Sequence, residues 1–511
     1  MITFSVLYPG PQDGVSREQA EVPEFFTDLN LDQIIGHITA KKGEYNLQPF
    51  FYRSLDEADS VAYRQEVMHD LERPALYTSL MTFATQLQAM RARLTQAAKL
   101  YYPLQKQAWF LCATEQYYEA VQALAQDLGK LEFTSRGMQA LKAHADNYTQ
   151  GANFQTLVAD AKAARSALAS IRYCIHIKGD TFTVLEYQGE SDYSAEVSAT
   201  FEKFRQGAAK DYRVKFHDLP DMNHIEAQVL EFVSKLFPEV FTQLDIFCQQ
   251  HQGYLDETLA VFDREVQFYT AYLDYMNTLR GKGLDFCYPE VGRVNKTVFA
   301  QDTYDLALAD KLLNQGKSIV RNDFSLCDKE RIFIVSGPNQ GGKTTFARTF
   351  GQLHYLANLG LPVPGNAARL FLYDRLFAHF EREEDIRNLR GKLEDDLVRI
   401  HRILQGATPD SIIIMNEIFT STTLQDALFL GSRILERIVQ LDLLCVCVTF
   451  IDELAHLSDT TVSMVSTIVP DDPAQRTYKV VRRPADGKSY ALSLAHKYRI
   501  EAHDLEERLP S

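Results

Sequence analysis

One stretch limits what this chain can fold into more than any other: "VSGPNQGGKTTFARTF", Val335 to Phe350. Gly337, four residues, then Gly342-Lys343-Thr344 match G-x-x-x-x-G-K-[ST], a loop whose backbone N–H groups curl around phosphate oxygens. Such a loop needs a strand before it and a helix after it. "RIFIVS" supplies the apolar strand, and "TTFARTFGQLHYLANLG" carries the helical period. In this setting Lys343 neutralises the β and γ phosphates and Thr344 offers its hydroxyl to Mg²⁺. The expected nucleotide-binding set is Gly337, Pro338, Asn339, Gln340, Gly341, Gly342, Lys343, Thr344 and Thr345.

A second strand end completes the pattern. "SIIIMNEIF" is an apolar strand that closes on polar residues. A P-loop enzyme needs an acid there to hold magnesium and a base to position the attacking water. Glu417 suits the second role. Asn416 takes the first position, where an amide bonds a metal-bound water but brings no charge, so the metal is expected to be held weakly.

Around these motifs the chain changes character twice. Residues 1–50 are mixed, with one amphipathic stretch, "DLNLDQIIGHI". Residues 51–282 read as long helices with apolar residues three and four apart. They are interrupted at about 172–220 by a small β insertion, in which "CIHIKGDTFTVLEY" alternates around a Gly-Asp hairpin turn and "YRVKF" (212–216) adds a strand. From 283 to 511 short apolar strands alternate with helices, the signature of an α/β domain. The tyrosine-rich segments "YYPL", "QYYEA" and "FYTAYLDYM" read as core stripes, and "FHDLPDMNHIE" (216–226) as a polar loop, not a metal site. The charge run "EREEDIRNLRGKLEDD" (381–396) reads mainly as a solvated face.

Composition narrows the partners. No run of about 18 apolar residues appears, so no membrane span is expected. The start, "MITFSVLYPGPQDG", lacks the features of a signal peptide. The seven cysteines form no CxxC pair, which points to reduced thiols and a cytoplasmic protein. The net charge of −15 argues against gripping nucleic acid over the whole surface.

Taken together, these residues resemble the DNA mismatch repair MutS family. "GPNQGGKTT" is close to that family's GPNMGGKST, and "GLPVPGNAARL", "ILQGATPDSIIIMNEI", "IVRNDFSL" and "SYALSLAHKYRI" resemble further family segments across about 320–500. "VAYRQEVMHDL" resembles the start of the family's lever helices. The resemblance implies a mixed α and α/β fold. A long-helix lever/core domain with its β insertion in the place of a DNA clamp would precede an ABC-like P-loop ATPase domain. It implies ATP and Mg²⁺ as cofactors, a homodimer that sandwiches ATP, and double-stranded or branched DNA as partner.

The departures are as informative. No G-x-F-Y-E mismatch-reading motif occurs in the first 60 residues, so direct reading of mismatches is not expected. Residues 171–260 carry eight Lys and Arg against fifteen Asp and Glu, a net of −7, the wrong sign for wrapping a duplex. Within the ATPase, Asn416 replaces the metal-site aspartate. "VTFIDEL" puts Phe450 where the family has a γ-phosphate-sensing histidine, and Gly391 falls where a serine reaches the partner subunit's nucleotide. Asp426 matches an aspartate that faces the dimer interface. The resemblance gives Lys343 and Glu417 the catalytic roles and implies slow hydrolysis. A different reading remains open: a nucleotide-switched, non-catalytic protein that presents its helices to a protein partner and binds little or no DNA.

Overall fold

The computed structural model describes residues 4–10, 21–191, 193, 196–197, 199–200, 222–381, 391–469 and 472–485. The chain divides into two compact units. One comprises Met1–Arg73, Phe133–Met138 and Arg264–Ser511, and the other Pro74–Glu132 and Gln139–Asp263.

The second unit is helical, as its apolar period requires. Helix Pro103–Gly129 follows helix Pro74–Lys99 after a short link, and each starts on proline, whose missing N–H costs nothing in a first turn. Leu80, Phe83, Leu87 and Met90 of one and Leu111, Tyr117, Val121 and Leu124 of the other are buried. Tyrosines supply bulk here while keeping their polar tips satisfied. The Tyr117 and Tyr148 hydroxyls lie 3.0 Å apart, and the Asp256 amide donates to Tyr117 Oη at 2.9 Å. Tyr101 of "YYPL" is instead turned to solvent, 84% exposed. The hairpin forms around Gly179-Asp180, pairing Tyr173–Lys178 with Thr181–Glu186, and Gly179 adopts φ +63°, which glycine alone takes at no steric cost. Phe182 packs edge-on against Phe232 of helix His224–Leu236, with ring centroids 6.1 Å apart. The strand expected at 212–216 lies outside the described residues. Of the segment 216–226, Asn223 to Glu226 are a helix start and not a loop: the Asn223 side chain accepts from the Glu226 amide, and Glu226 bonds back.

In the first unit, six strands form the central sheet: β1 (Ile332–Ser336), β2 (Leu376–Phe380), β3 (Ile412–Asn416), β4 (Leu444–Val448), β5 (Thr461–Val469) and β6 (Asp472–Arg482). Their order is β2-β3-β4-β1-β5-β6, with all neighbours parallel except the antiparallel pair β5–β6. Three helices serve the site: α1 (Lys343–Asn358), α2 (Lys392–Gly406) and α3 (Leu424–Leu441). β1, β3 and β4 are buried along their whole length, which is why they read as continuous apolar runs. Their residues alternate between two faces. Ile332, Ile334, Ile413, Met415, Cys445 and Cys447 pack with Ile434, Leu435 and Ile438 of α3. On the other face Phe333 meets Phe346 and Phe350 of α1, at 5.9 and 6.0 Å between centroids. Gly351 is required there, because a Cβ would come within 2.6 Å of Ile414 Cδ1. The opening segment covers the same helix: Arg348 Nε donates to Asp28 O and Gln352 Nε2 to Leu29 O, both at 2.9 Å. A smaller sheet runs Glu290–Gly292, Ala367–Phe371, Val298–Thr303, Asn322–Leu326. Among the described residues no helix is long and apolar enough to cross a membrane.

One buried carboxyl ties the N-terminal segment to the helix Glu257–Arg280. Glu265 accepts from Ser5 Oγ at 2.7 Å and from the Val6 amide at 2.9 Å, while Arg64 Nε donates to Leu7 O at 3.0 Å. Burial pushes the Glu265 pKa up to about 7 against an ordinary 4.5, in spite of these bonds and of Arg64. The folded chain therefore holds this proton between those two values while the unfolded chain has released it. Its contribution is complete below about 4.5 and is lost as pH rises through about 7. Between pH 5 and 8 the urea midpoint of Glu265→Gln should fall less than that of the parent, by the equivalent of about 3 kcal/mol at most. Parallel profiles for the two proteins would show that Glu265 ionises in the folded state as it does in water.

Candidate functional site: the glycine loop and its surroundings

The loop Gly337–Gly342 joins β1 to α1 at the C-terminal edge of the parallel strands. Three of its residues take positive φ: Gly337 at +114°, Gln340 at +59° and Gly342 at +94°. The space is as restrictive as the dihedrals. A Cβ on Gly337 or Gly341 would come within 2.6 or 2.5 Å of Ser466 Oγ on β5. Ser466 itself is buried, and among the described residues its hydroxyl has no hydrogen-bond partner. The loop is thus pressed onto β5, with Asn339 and Gln340 exposed at its tip.

Lys343 opens α1 and is only 4% exposed. Its Nζ donates to Gly337 O at 2.8 Å, Asn339 Oδ1 at 3.3 Å and Pro338 O at 3.4 Å, and lies 3.9 Å from Glu417 Oε1. Burial lowers its pKa. The Glu417 carboxylate opposes that shift, Arg476 adds to it, and Asp452 opposes it again. Next to it, Thr344 Oγ1 donates to Asn416 Oδ1 at 2.9 Å. The two residues meet because β3 lies one strand away from β1 across β4, and Asn416 ends β3 in register with Val448. Glu417 then turns sharply, with φ +53°, while its amide donates to Val448 O at 2.9 Å. Strain of this kind at a strand end holds a side chain where an extended chain would not.

Loop, Lys343, Thr344, Asn416 and Glu417 therefore converge. Asp426 stands apart in the first turn of α3. Its carboxylate accepts from Thr423 Oγ1 at 2.8 Å while its amide donates to that hydroxyl, a local helix cap. Gly391 precedes α2 in extended conformation, exposed, with open space where a Cβ would sit. Phe450 follows β4 and is half exposed. Of the charge run, residues 382–390 lie outside the described set; Glu381 accepts from Thr420 Oγ1 at 3.0 Å and pairs with Lys392. Ser466 and Arg476, whose Nε donates to Asn339 O at 3.2 Å, carry no motif signal. Only the return of the β5–β6 hairpin to the loop brings them in. The segment "SYALSLAHKYRI" lies outside the described residues.

The donor set fits a nucleotide polyphosphate: a curled glycine loop at a helix N-terminus, with one buried ammonium. It also fits Mg²⁺, with two neutral oxygens, Thr344 Oγ1 and Asn416 Oδ1, side by side.

Comparison with known proteins agrees with this geometry. Residues 333–505 match the model of MutS domain V. Endonuclease MutS2 of Gemmatimonas aurantiaca is 31% identical over 206 residues, which cover 39% of this chain and 25% of that protein. DNA mismatch repair protein MutS of Zymomonas mobilis is 29% identical over 188 residues, 36% of this chain and 22% of its own. The MutS protein of Thermotoga maritima is 24% identical over 285 residues, 54% of this chain and 34% of its own. The matched part thus spans about a quarter to a third of the length of these relatives. Motif, strand order around the loop and these matches agree that residues 333–505 are similar to MutS domain V.

Proposed function

We propose that this protein binds ATP at Gly337–Thr345 and hydrolyses it slowly, as a MutS-type dimer in DNA repair or recombination that couples its nucleotide state to the helical unit. The observation that carries the reading is the convergence of Lys343, Thr344, Asn416 and Glu417 at one loop. Lys343 already sits at the loop carbonyls, and its ammonium exchanges them for phosphate oxygens with little movement. The loop amides at the start of α1 hold the negative charge. Thr344 and Asn416 hold Mg²⁺, which supplies charge neutralisation at the transferred phosphoryl group. Glu417, set by its strained backbone beside Lys343, orients the attacking water. The ABC-like domain plan and the roles of Asp426, Gly391 and Phe450 at a shared dimer interface belong to the same proposal. Asn416, Phe450 and Gly391 each remove an electrostatic or hydrogen-bonding group from that plan, and such groups are worth about 10²-fold or more in rate.

The second reading, an ATP-switched protein without turnover, draws on Asn416 and on the net −7 of residues 171–260, which favours a protein partner over DNA. Steady-state ATP hydrolysis with and without duplex and branched DNA separates the two. Under the first reading Lys343→Ala abolishes binding and turnover, and Glu417→Ala keeps ATP binding but lowers turnover by about 10²-fold. Parent turnover no higher than that of Lys343→Ala, together with tight ATP binding, selects the switch.

Asn416→Asp supplies the missing charge beside Thr344. It should lower the Mg²⁺ concentration needed for half-maximal turnover by about tenfold and raise the maximal rate. An unchanged Mg²⁺ titration would mean that position 416 does not face the metal.

A further inference from the structure

We propose that Arg476 is a second cation of the phosphate site, which lets the chain hold a nucleoside triphosphate with little help from a divalent metal. This rests on the reading of Gly337–Thr345 as a nucleotide site.

The placement of Arg476 is a built feature. β5 and β6 pair Ser466 with Val480 and Ile468 with Arg476, so Thr477, Tyr478 and Lys479 stand opposite Thr467 alone. A bulge of this kind re-aims the side chains beside it. At its centre Tyr478 takes φ +59°, a conformation costly for a non-glycine residue. The bulge is anchored from a third side, with the Val480 amide donating to Asn322 Oδ1 at 2.8 Å and Asn322 Nδ2 donating to Tyr478 O at 3.2 Å. It lies against the loop: a Cβ on Gly342 would stand 3.4 Å from Tyr478 O. From the edge of this bulge Arg476 Nε donates to the carbonyl of Asn339, at the exposed tip of the loop, at 3.2 Å. Asn339 Oδ1 in turn accepts from Lys343 Nζ. One loop residue thus holds both cations.

The charges explain why two cations are there. Lys343 is buried, and both its ammonium and the Arg476 guanidinium are held by the same loop residue, Asn339. Two cations that repel each other across a glycine loop gain most when a polyanion lies between them. On the opposite side, Thr344 meets the neutral Asn416 where a carboxylate would have anchored a divalent ion. The positive charge facing the phosphates is thereby moved from an exchangeable metal to a covalently attached guanidinium, which binds phosphate by a fork of donors and never loses its proton.

The test is ATP affinity of the full-length protein by calorimetry, in Mg²⁺ and in excess EDTA, for the parent, Arg476→Gln and Arg476→Lys. The parent should lose less than about fivefold in affinity when Mg²⁺ is removed. Arg476→Gln should lose about tenfold or more in EDTA and clearly less in Mg²⁺, and Arg476→Lys should recover part of the loss. A thermal midpoint for Arg476→Gln within about 2 °C of the parent rules out unfolding as the cause. Equal losses in both media would make Arg476 a mere pin for the loop and overturn the proposal, as would an Arg476→Gln protein that binds ATP in EDTA like the parent. In those two cases the nucleotide site itself stands. A parent that binds no ATP in either medium overturns the site and this proposal together.

Discussion

The contact of the glycine loop with β5 is the constraint from which the rest of the site follows. Gly337 and Gly341 lie so close to Ser466 that no side chain fits at either position. The loop must therefore curl tightly between β1 and α1, and the first helical residue, Lys343, is carried below the surface. A buried ammonium needs compensation. It obtains this from three oxygens of the loop itself and, at longer range, from Glu417. Replacing either glycine would force the loop off β5, and the compensation of Lys343 would be lost with it.

Sheet order then decides which distant residues join. With β4 between β1 and β3, the ends of β1 and β3 lie two strand spacings apart. That distance suits a hydroxyl-to-amide bond from the start of α1 to Asn416. Both strands are buried on two faces, so a one-residue slip would send every side chain to the opposite packed face and break the fit on both. The hydrophobic packing of Ile413 and Met415 against α3 thus fixes the height at which Asn416 and Glu417 emerge. The site owes its precision to the core beneath it rather than to bonds made within it.

How much of this was legible in the sequence follows from the range of each interaction. The loop, its strand and its helix are contiguous, so the motif and the periodicity were enough. Asn416 and Glu417 were readable because a buried strand ends visibly where apolar residues give way to polar ones. The Gly179-Asp180 hairpin was readable for the same local reason. Ser466 and Arg476 were not, because they reach the loop only through the pairing of β5 with β1 and the bulge of β6, and neither leaves a trace in spacing. The opening segment was equally opaque. Its grip on α1 runs largely through backbone carbonyls of Asp28 and Leu29, which any residue type supplies. Asp426 shows the converse: its match to a family position is plain in sequence, yet its carboxylate is engaged in capping its own helix.

Asn416 and Arg476 acquire their meaning as a pair. A carboxylate at a metal position and a metal ion together present a net positive charge to the phosphates; an amide and a guanidinium present one as well, without the ion. The two arrangements differ in what happens after binding. Charge carried by a metal can follow the phosphoryl group and redistribute as bonds change, whereas a guanidinium pinned to the Asn339 carbonyl stays where the loop holds it. A charge that bears on the bound nucleotide and on the transition state alike tightens binding without raising turnover. Under this proposal the site favours long occupancy by the nucleotide, which fits a strand that ends on an amide, Asn416, beside the glycine loop.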